Sequence, residues 1–168
     1  MFDYLCKTQS DINEHLPTLR DLASECESIT EMGVRYIVST WAFAEGLKNG
    51  GKLLSIDIKH PKEYGATLTP IENHCKSKGI LFGFFEGDTL AINIESCDML
   101  FIDTLHTYEQ LKGELARHSD KAKKYIVLHD TTSCPDMYIA VEEFLKEGVW
   151  EIQKRYTNNN GLTILKRV

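Results

Sequence analysis

Short apolar runs that alternate with helical stretches set the strongest limit on how this 168-residue chain can fold. Runs at 29–32, 53–58, 80–85, 99–102 and 125–128 read as buried strands. Helical spacing follows at 39–47, 69–78, 107–119 and 137–146. An earlier helix is expected from Asp11, the N-cap, with Ile12, Leu16, Leu19 and Ala23 on one face and Glu14 completing the cap. Thr69-Pro70-Ile71-Glu72 and Thr107-Tyr108-Glu109-Gln110 read as capping boxes, the first with Pro at the opening helical position. Runs at 150–156 and 162–166 flank Thr157-Asn158-Asn159-Asn160-Gly161, which has the chemistry of a hairpin loop. Five β-α units and a closing hairpin predict an α/β protein: a doubly wound, mostly parallel sheet with helices on both faces.

Composition narrows the function classes. The 19 Lys+Arg against 25 Asp+Glu give a net charge of -6, so neither a nucleic-acid backbone nor an anionic membrane is an expected partner. No apolar run reaches the 18 or so residues of a membrane span. The first residues lack the basic flank and apolar core of a signal peptide. Five Cys without a C-x-x-C predict reduced thiols and a cytoplasmic setting. One domain is expected, an N-terminal helical segment at 1–27 before a core at 28–168. His15, His60, His74 and His118 stand in polar stretches and read as surface residues.

In such sheets ligands bind beyond the carboxyl ends of the strands. Each of those ends carries a distinctive residue here. Glu31 and Gly33 close the first strand; the glycine permits a tight turn and the approach of a ligand. Asp57 ends the second and is placed to accept ribose hydroxyls, or else to cap a turn. Asp88 follows the third and is placed near an adenine edge, or caps a helix at 90–94, or both. Asp103 and His106 follow the fourth strand, and His129 and Asp130 the fifth. Carboxylates and imidazoles on neighbouring strand ends can hold a divalent cation or act as a base, whereas a bland loop explains only one of them at a time. Neither G-x-G-x-x-G nor a P-loop occurs.

The order Glu31-x-Gly33, Asp57, Gly87-Asp88, Asp103-x-x-His106-x-Tyr108 and His129-Asp130 resembles class I S-adenosylmethionine-dependent methyltransferases, in particular a small O-methyltransferase-like group. The resemblance runs from about residue 28 to 168. It implies a Rossmann-like fold whose reversed last strand lies beside the fifth. It implies an enzyme that binds S-adenosylmethionine and transfers its methyl to the oxygen of a small hydroxyl compound or sugar. By the same resemblance, Glu31 and Gly33 face the methionine part, Ser39 and Thr40 its carboxylate, Asp57 the ribose and Asp88 the adenine, with Asp103 also at the cofactor. Asp103, His129 and Asp130 occupy metal-ligand positions for Mg or Mn, His106 that of a general base, and Tyr108 lines the pocket.

Two departures matter. Ile37 stands where that family carries a second loop glycine, and a β-branched residue resists positive φ. His129 stands where metal-dependent relatives carry a carboxylate. The first motivates an alternative, a non-catalytic domain that has lost its cofactor. His106 and His129 with the two Asp, a two-His carboxylate set with open positions, motivate another, a metal-dependent oxygenase or hydrolase on the same scaffold. The short chain leaves no lid domain, so the acceptor sits in an open cleft or a second copy in a homodimer supplies the wall.

Overall fold

The computed structural model describes residues 1–168. One sheet holds seven strands: β1 (Ser28–Met32), β2 (Lys52–Asp57), β3 (Leu81–Glu86), β4 (Cys97–Ile102), β5 (Ala122–His129), β6 (Trp150–Tyr156) and β7 (Leu162–Arg167). Their order is β3-β2-β1-β4-β5-β7-β6. β1 to β5 pair in parallel. β7 runs antiparallel between β5 and β6. This is the doubly wound, Rossmann-like sheet that the β-α alternation and the closing hairpin predict.

Helices cover both faces: α1 (Phe2–Lys7), α2 (Leu16–Ala23), α3 (Val38–Gly46) and α4 (Thr69–Ser77) on one, α5 (Tyr108–His118) and α6 (Pro135–Leu145) on the other. The central strands feed both cores by simple alternation. Met99, Phe101, Tyr125 and Val127 join the α2–α3 side. Leu100, Ile102, Ile126 and Leu128 join the α5–α6 side. Because both faces are covered, β4 is buried along its whole length, and it is apolar throughout except for Asp98, which accepts the Glu27 N–H at 2.7 Å and pairs with Lys124 at 3.2 Å. Phe43 of α3 meets Phe101 edge-on at 5.2 Å between ring centroids, a contact that ties helix to sheet.

Several local readings change. Asp11 does not open a helix. A 3-10 turn at Asn13–His15 comes first, and α2 starts at Leu16 with Pro17 in its first turn. Thr69 caps nothing: Leu68 holds the N-cap position of α4 without a side-chain bond. The second capping box does form its first half, since Thr107 Oγ1 accepts the Gln110 N–H at 3.3 Å. Residues 90–94 form no helix, so the β3–β4 connection crosses as turns. His15 and His118 are buried, not surface residues, because each finds a carbonyl partner: Asn158 O at 3.0 Å and Thr89 O at 2.7 Å. All five cysteines are free thiols, as expected. No helix is long and apolar enough to cross a membrane.

Candidate active site at the carboxyl ends of the strands

The site begins at the turn after β1. Gly33 adopts φ 90°, and a Cβ there would stand 1.8 Å from the Asp103 carbonyl oxygen. Only glycine lets the ends of β1 and β4 approach this closely. The turn continues through Arg35 (φ 47°) and Ile37 (φ 64°), both left-handed. Ile37 therefore takes the backbone path that a glycine would favour. Its side chain is buried in the apolar core and is absent from the lining of the cavity described below.

Asp57 stabilises this turn from the end of β2. Its Oδ2 accepts the N–H groups of Val34 and Arg35 at 2.8 and 3.0 Å, and its Oδ1 that of Lys59 at 3.0 Å. A carboxylate has about four acceptor sites, so capacity remains for a ligand hydroxyl. Glu31 turns the other way. It is fully buried and accepts hydroxyl bonds from Ser39, Thr40 and Ser55 at 2.5–2.8 Å. Burial pushes its carboxyl up to about 7, against the opposing pull of those three donors. Thr40 is committed to Glu31, while Ser39 also reaches the cavity.

Asp103, His106, His129 and Asp130 converge from the ends of β4 and β5. His106 Nε2 lies 3.3 Å from Asp103 Oδ1 and 3.1 Å from Asp130 Oδ2. His129 Nδ1 lies 3.3 and 3.0 Å from those two atoms. On its far side, His129 Nε2 faces the carbonyl oxygens of Asp11 and Asn159 at 3.1 and 3.3 Å. Asp130 takes a left-handed backbone, φ 58°, and its Oδ1 accepts the Ser133 hydroxyl at 2.6 Å. Burial alone would raise the Asp103 carboxyl, but bonds from His106 and His129 hold it well below the usual carboxylate range. Burial likewise opposes charge on His129, yet the two carboxylates lift its imidazole to about 10. The bond to Asp103 raises His106. For Asp130, burial is outweighed by His129 and Ser133, and its carboxyl is lowered.

A cavity of about 390 Å³ opens over these strand ends, within the size range of small-ligand sites. Gly33, Ser39, Asp57, Asp88, Asp103 and His106 line it. Glu31, Thr40, His129 and Asp130 stand behind that lining as its support. Tyr108 turns away from the cavity and donates its hydroxyl to Glu143 of α6. The N-terminal segment contributes Asp11 and Ile12, and the 3-10 turn Pro61–Tyr64 contributes Tyr64.

Sequence reasoning missed one support altogether. Glu114 of α5 is fully buried and accepts from Thr89 Oγ1 (2.6 Å), Thr104 Oγ1 (2.8 Å) and Gln110 Nε2 (2.9 Å). All three donors belong to cavity-lining residues. Arg117 and His118 extend the same grip to the carbonyls of Ile92, Ala91 and Thr89. With Gln110 Nε2, which also donates to Thr89 Oγ1 at 3.1 Å, four polar side chains of one helix hold the helix-free β3–β4 connection against the cavity. The signal in the sequence was a Glu on the apolar stripe between Leu111 and Leu115, where a charge is out of place.

Comparison with solved structures places this architecture. An O-methyltransferase from Bacillus cereus in complex with SAH superposes with a TM-score of 0.71 at 14% identity, covering 92% of this chain and 81% of that one. The fold is that of the class I methyltransferases. A methyltransferase from Geobacter sulfurreducens matches with a TM-score of 0.68 at 10% identity, over 99% and 86% of the two chains. An SAH-bound methyltransferase from Podospora anserina matches with a TM-score of 0.66 at 16% identity, over 96% and 80%. No protein-family model matches the chain, and no curated protein matches it. The likeness is therefore one of fold, at identities of 10–16%.

Proposed function

We infer that the chain is an S-adenosylmethionine-dependent methyltransferase acting on the oxygen of a small hydroxyl compound, a sugar or a simple phenol. The observation that carries this reading is the cavity itself, which joins the Gly33 turn, Asp57 and Asp88 to the Asp103–His106 pair in one space. Two structural neighbours hold SAH in the same fold, and SAH is the demethylated form of that cofactor.

The residues fit the cofactor's parts. Asp57 has about one acceptor site left, for a ribose hydroxyl. Asp88 is exposed and lines the cavity, and its Oδ1 also accepts the Leu90 N–H at 2.9 Å. Ser39 lies in the first turn of α3, an end that favours a carboxylate. The cofactor supplies an electrophilic methyl on a sulfonium. The chain's part is to align an acceptor hydroxyl with that methyl, which is chiefly a matter of positioning. His106 faces the cavity and takes up the hydroxyl proton, with Asp103 beside it to hold the ring. A divalent cation held by Asp103, His129 and Asp130 would lower the hydroxyl's pKa. His129 and the buried carboxylates fix the orientation of that pair.

The non-catalytic reading rested on Ile37. Its side chain lies in the core and not in the cavity, so the residue puts no bulk against a ligand. Calorimetry of the full chain with S-adenosylmethionine and S-adenosylhomocysteine tests the proposal. Saturable binding of both is expected. A folded sample that binds neither at millimolar concentration contradicts it.

A further inference from the structure

The two edges of the sheet are built differently. β6 carries Glu151, Lys154 and Arg155 and a break in register between Ile152 and Lys154. Charges and bulges of this kind keep an edge strand from pairing with another chain. β3, at the opposite edge, has no charge from Leu81 through Phe85 and no irregularity in its pairing with β2. Phe82 and Phe84 rest partly on the core beneath α3 and α4. Leu81 and Phe85 point to the other face, which the helix-free β3–β4 connection leaves open, and they are 68% and 49% exposed.

The backbone of β3 has one side paired and one side free. The N–H groups of Leu81 and Gly87 donate to the carbonyls of Gly51 and Asp57, both at 2.8 Å. Backbone groups alternate along a strand, so those of Phe82 and Phe84 point away from β2, where no strand follows. Gly83 stands between them. Its φ is not left-handed, and a Cβ there would meet only Leu54 Cδ1, at 3.9 Å. Nothing within the chain calls for this glycine, although glycine weakens a strand. Such a residue marks a place where another backbone comes close.

We propose that β3 is the seam of a symmetric dimer, pairing antiparallel with β3 of a second copy of this chain about Gly83. Phe82 of each copy then exchanges backbone bonds with Phe84 of the other, and the two Gly83 residues face each other at the two-fold axis. Leu81 of each copy lies opposite Phe85 of the other, so both exposed apolar residues are covered. A shift of two residues either way leaves Leu81 opposite Gly87 or Phe85 opposite Gly79. Charge agrees with this direction. The strand is entered from Lys76 and Lys78 and left through Glu86 and Asp88, so antiparallel pairing sets the basic approach of one copy beside the acidic exit of the other. The two seven-stranded sheets become one. The seam rests on the edge strand alone, not on the methyltransferase reading.

Analytical ultracentrifugation of the full chain at micromolar concentration tests this. A species of twice the 19.2 kDa chain mass is expected. Phe85→Lys puts a charge at two points of the seam and is expected to weaken the dimer about a hundredfold. Circular dichroism should stay unchanged, because the side chain is already half exposed. Gly83→Cys reads the register. Facing residues of this kind hold their Cα atoms about 4.5 Å apart, within disulfide reach. Mild oxidation is therefore expected to link two copies of the variant and not of the parent, whose own thiols control for stray pairing. A folded chain that stays monomeric, a species larger than a dimer, a dimer indifferent to Phe85→Lys, or a Gly83→Cys dimer that oxidation does not link overturns the proposal.

Discussion

At the scale of single residues, Ile37 and Glu31 show how far local pattern reaches. The sequence marks Ile37 as the wrong residue for a left-handed turn, and the structure places it at φ 64° all the same. Such a conformation costs a non-glycine residue about 1–2 kcal/mol. The side chain, only 3% exposed, offsets this by filling the core. Deleting a buried Ile costs about 2–5 kcal/mol, so Ile37→Gly is expected to lower stability despite relieving the backbone. Urea denaturation checks this, and a stabilised Ile37→Gly protein would refute it. Calorimetry adds that cofactor affinity changes little, since the residue lies outside the cavity.

Glu31 was expected to face the cofactor, yet its partners are the hydroxyls of its own fold. Its pH effect has a definite sign. The carboxyl is raised from its ordinary value of 4.5 to about 7 in the fold. Between those values the folded chain holds a proton that the unfolded chain has released. Stability from this group therefore falls as pH rises through that window, by on the order of 3 kcal/mol in total. Glu31→Gln removes that contribution. Urea midpoints at pH 5 and pH 7.5 should differ less in the variant than in the parent, and an unchanged difference would show that Glu31 is not the source.

At the scale of elements, the helices and strands were legible where periodicity was long and failed where partners are distant. α5 opens at Thr107 as its capping box implies, because the partner N–H lies three residues away. The Asp11 reading failed because the segment is held by the hairpin: Asn159 Oδ1 accepts the Glu14 N–H at 3.0 Å, and Asn159 Nδ2 donates to Ser10 O at 2.8 Å. No spacing rule sees across 145 residues. The Asn-rich loop reads correctly as a turn, but its second role, presenting a carbonyl to His129, is invisible without the fold. The β3–β4 connection is the complementary case. Asp88 was placed to cap a helix, and the grip of α5 supersedes that helix. Glu114→Ala removes the shared acceptor of the buried Thr89 hydroxyl and of the half-buried Thr104 and Gln110 donors, and a buried donor left unsatisfied costs about 1–3 kcal/mol. The variant is expected to lose at least about 2 kcal/mol and to speed amide exchange selectively at 87–94. Uniform exchange throughout the chain would contradict a local role.

At the scale of the whole molecule, alternation of strand and helix was enough to foresee a parallel sheet, and the rule that ligands sit at strand ends was enough to foresee where to look. Both follow from the chirality and layering of the chain and need no contact information. What the alternation could not settle was depth. Glu31 and Gly33 are two residues apart, yet one is buried behind α3 and the other forms the cavity wall. Asp103 and His106 reach the cavity, while His129 and Asp130 stand behind them. Depth depends on how β4, β5 and the hairpin loop close together, which is a property of the assembled sheet. The connection without a helix also leaves β3 exposed at the sheet's edge, with Leu81 and Phe85 in the open.

The central claim is that these strand ends form one cofactor site. A crystal structure of the chain soaked with S-adenosylmethionine tests it most directly. The account predicts the ligand in the cavity, with its ribose at Asp57, its adenine toward Asp88 and its methyl turned toward Asp103 and His106. A folded crystal that takes up the cofactor elsewhere, or not at all at millimolar concentration, would contradict it.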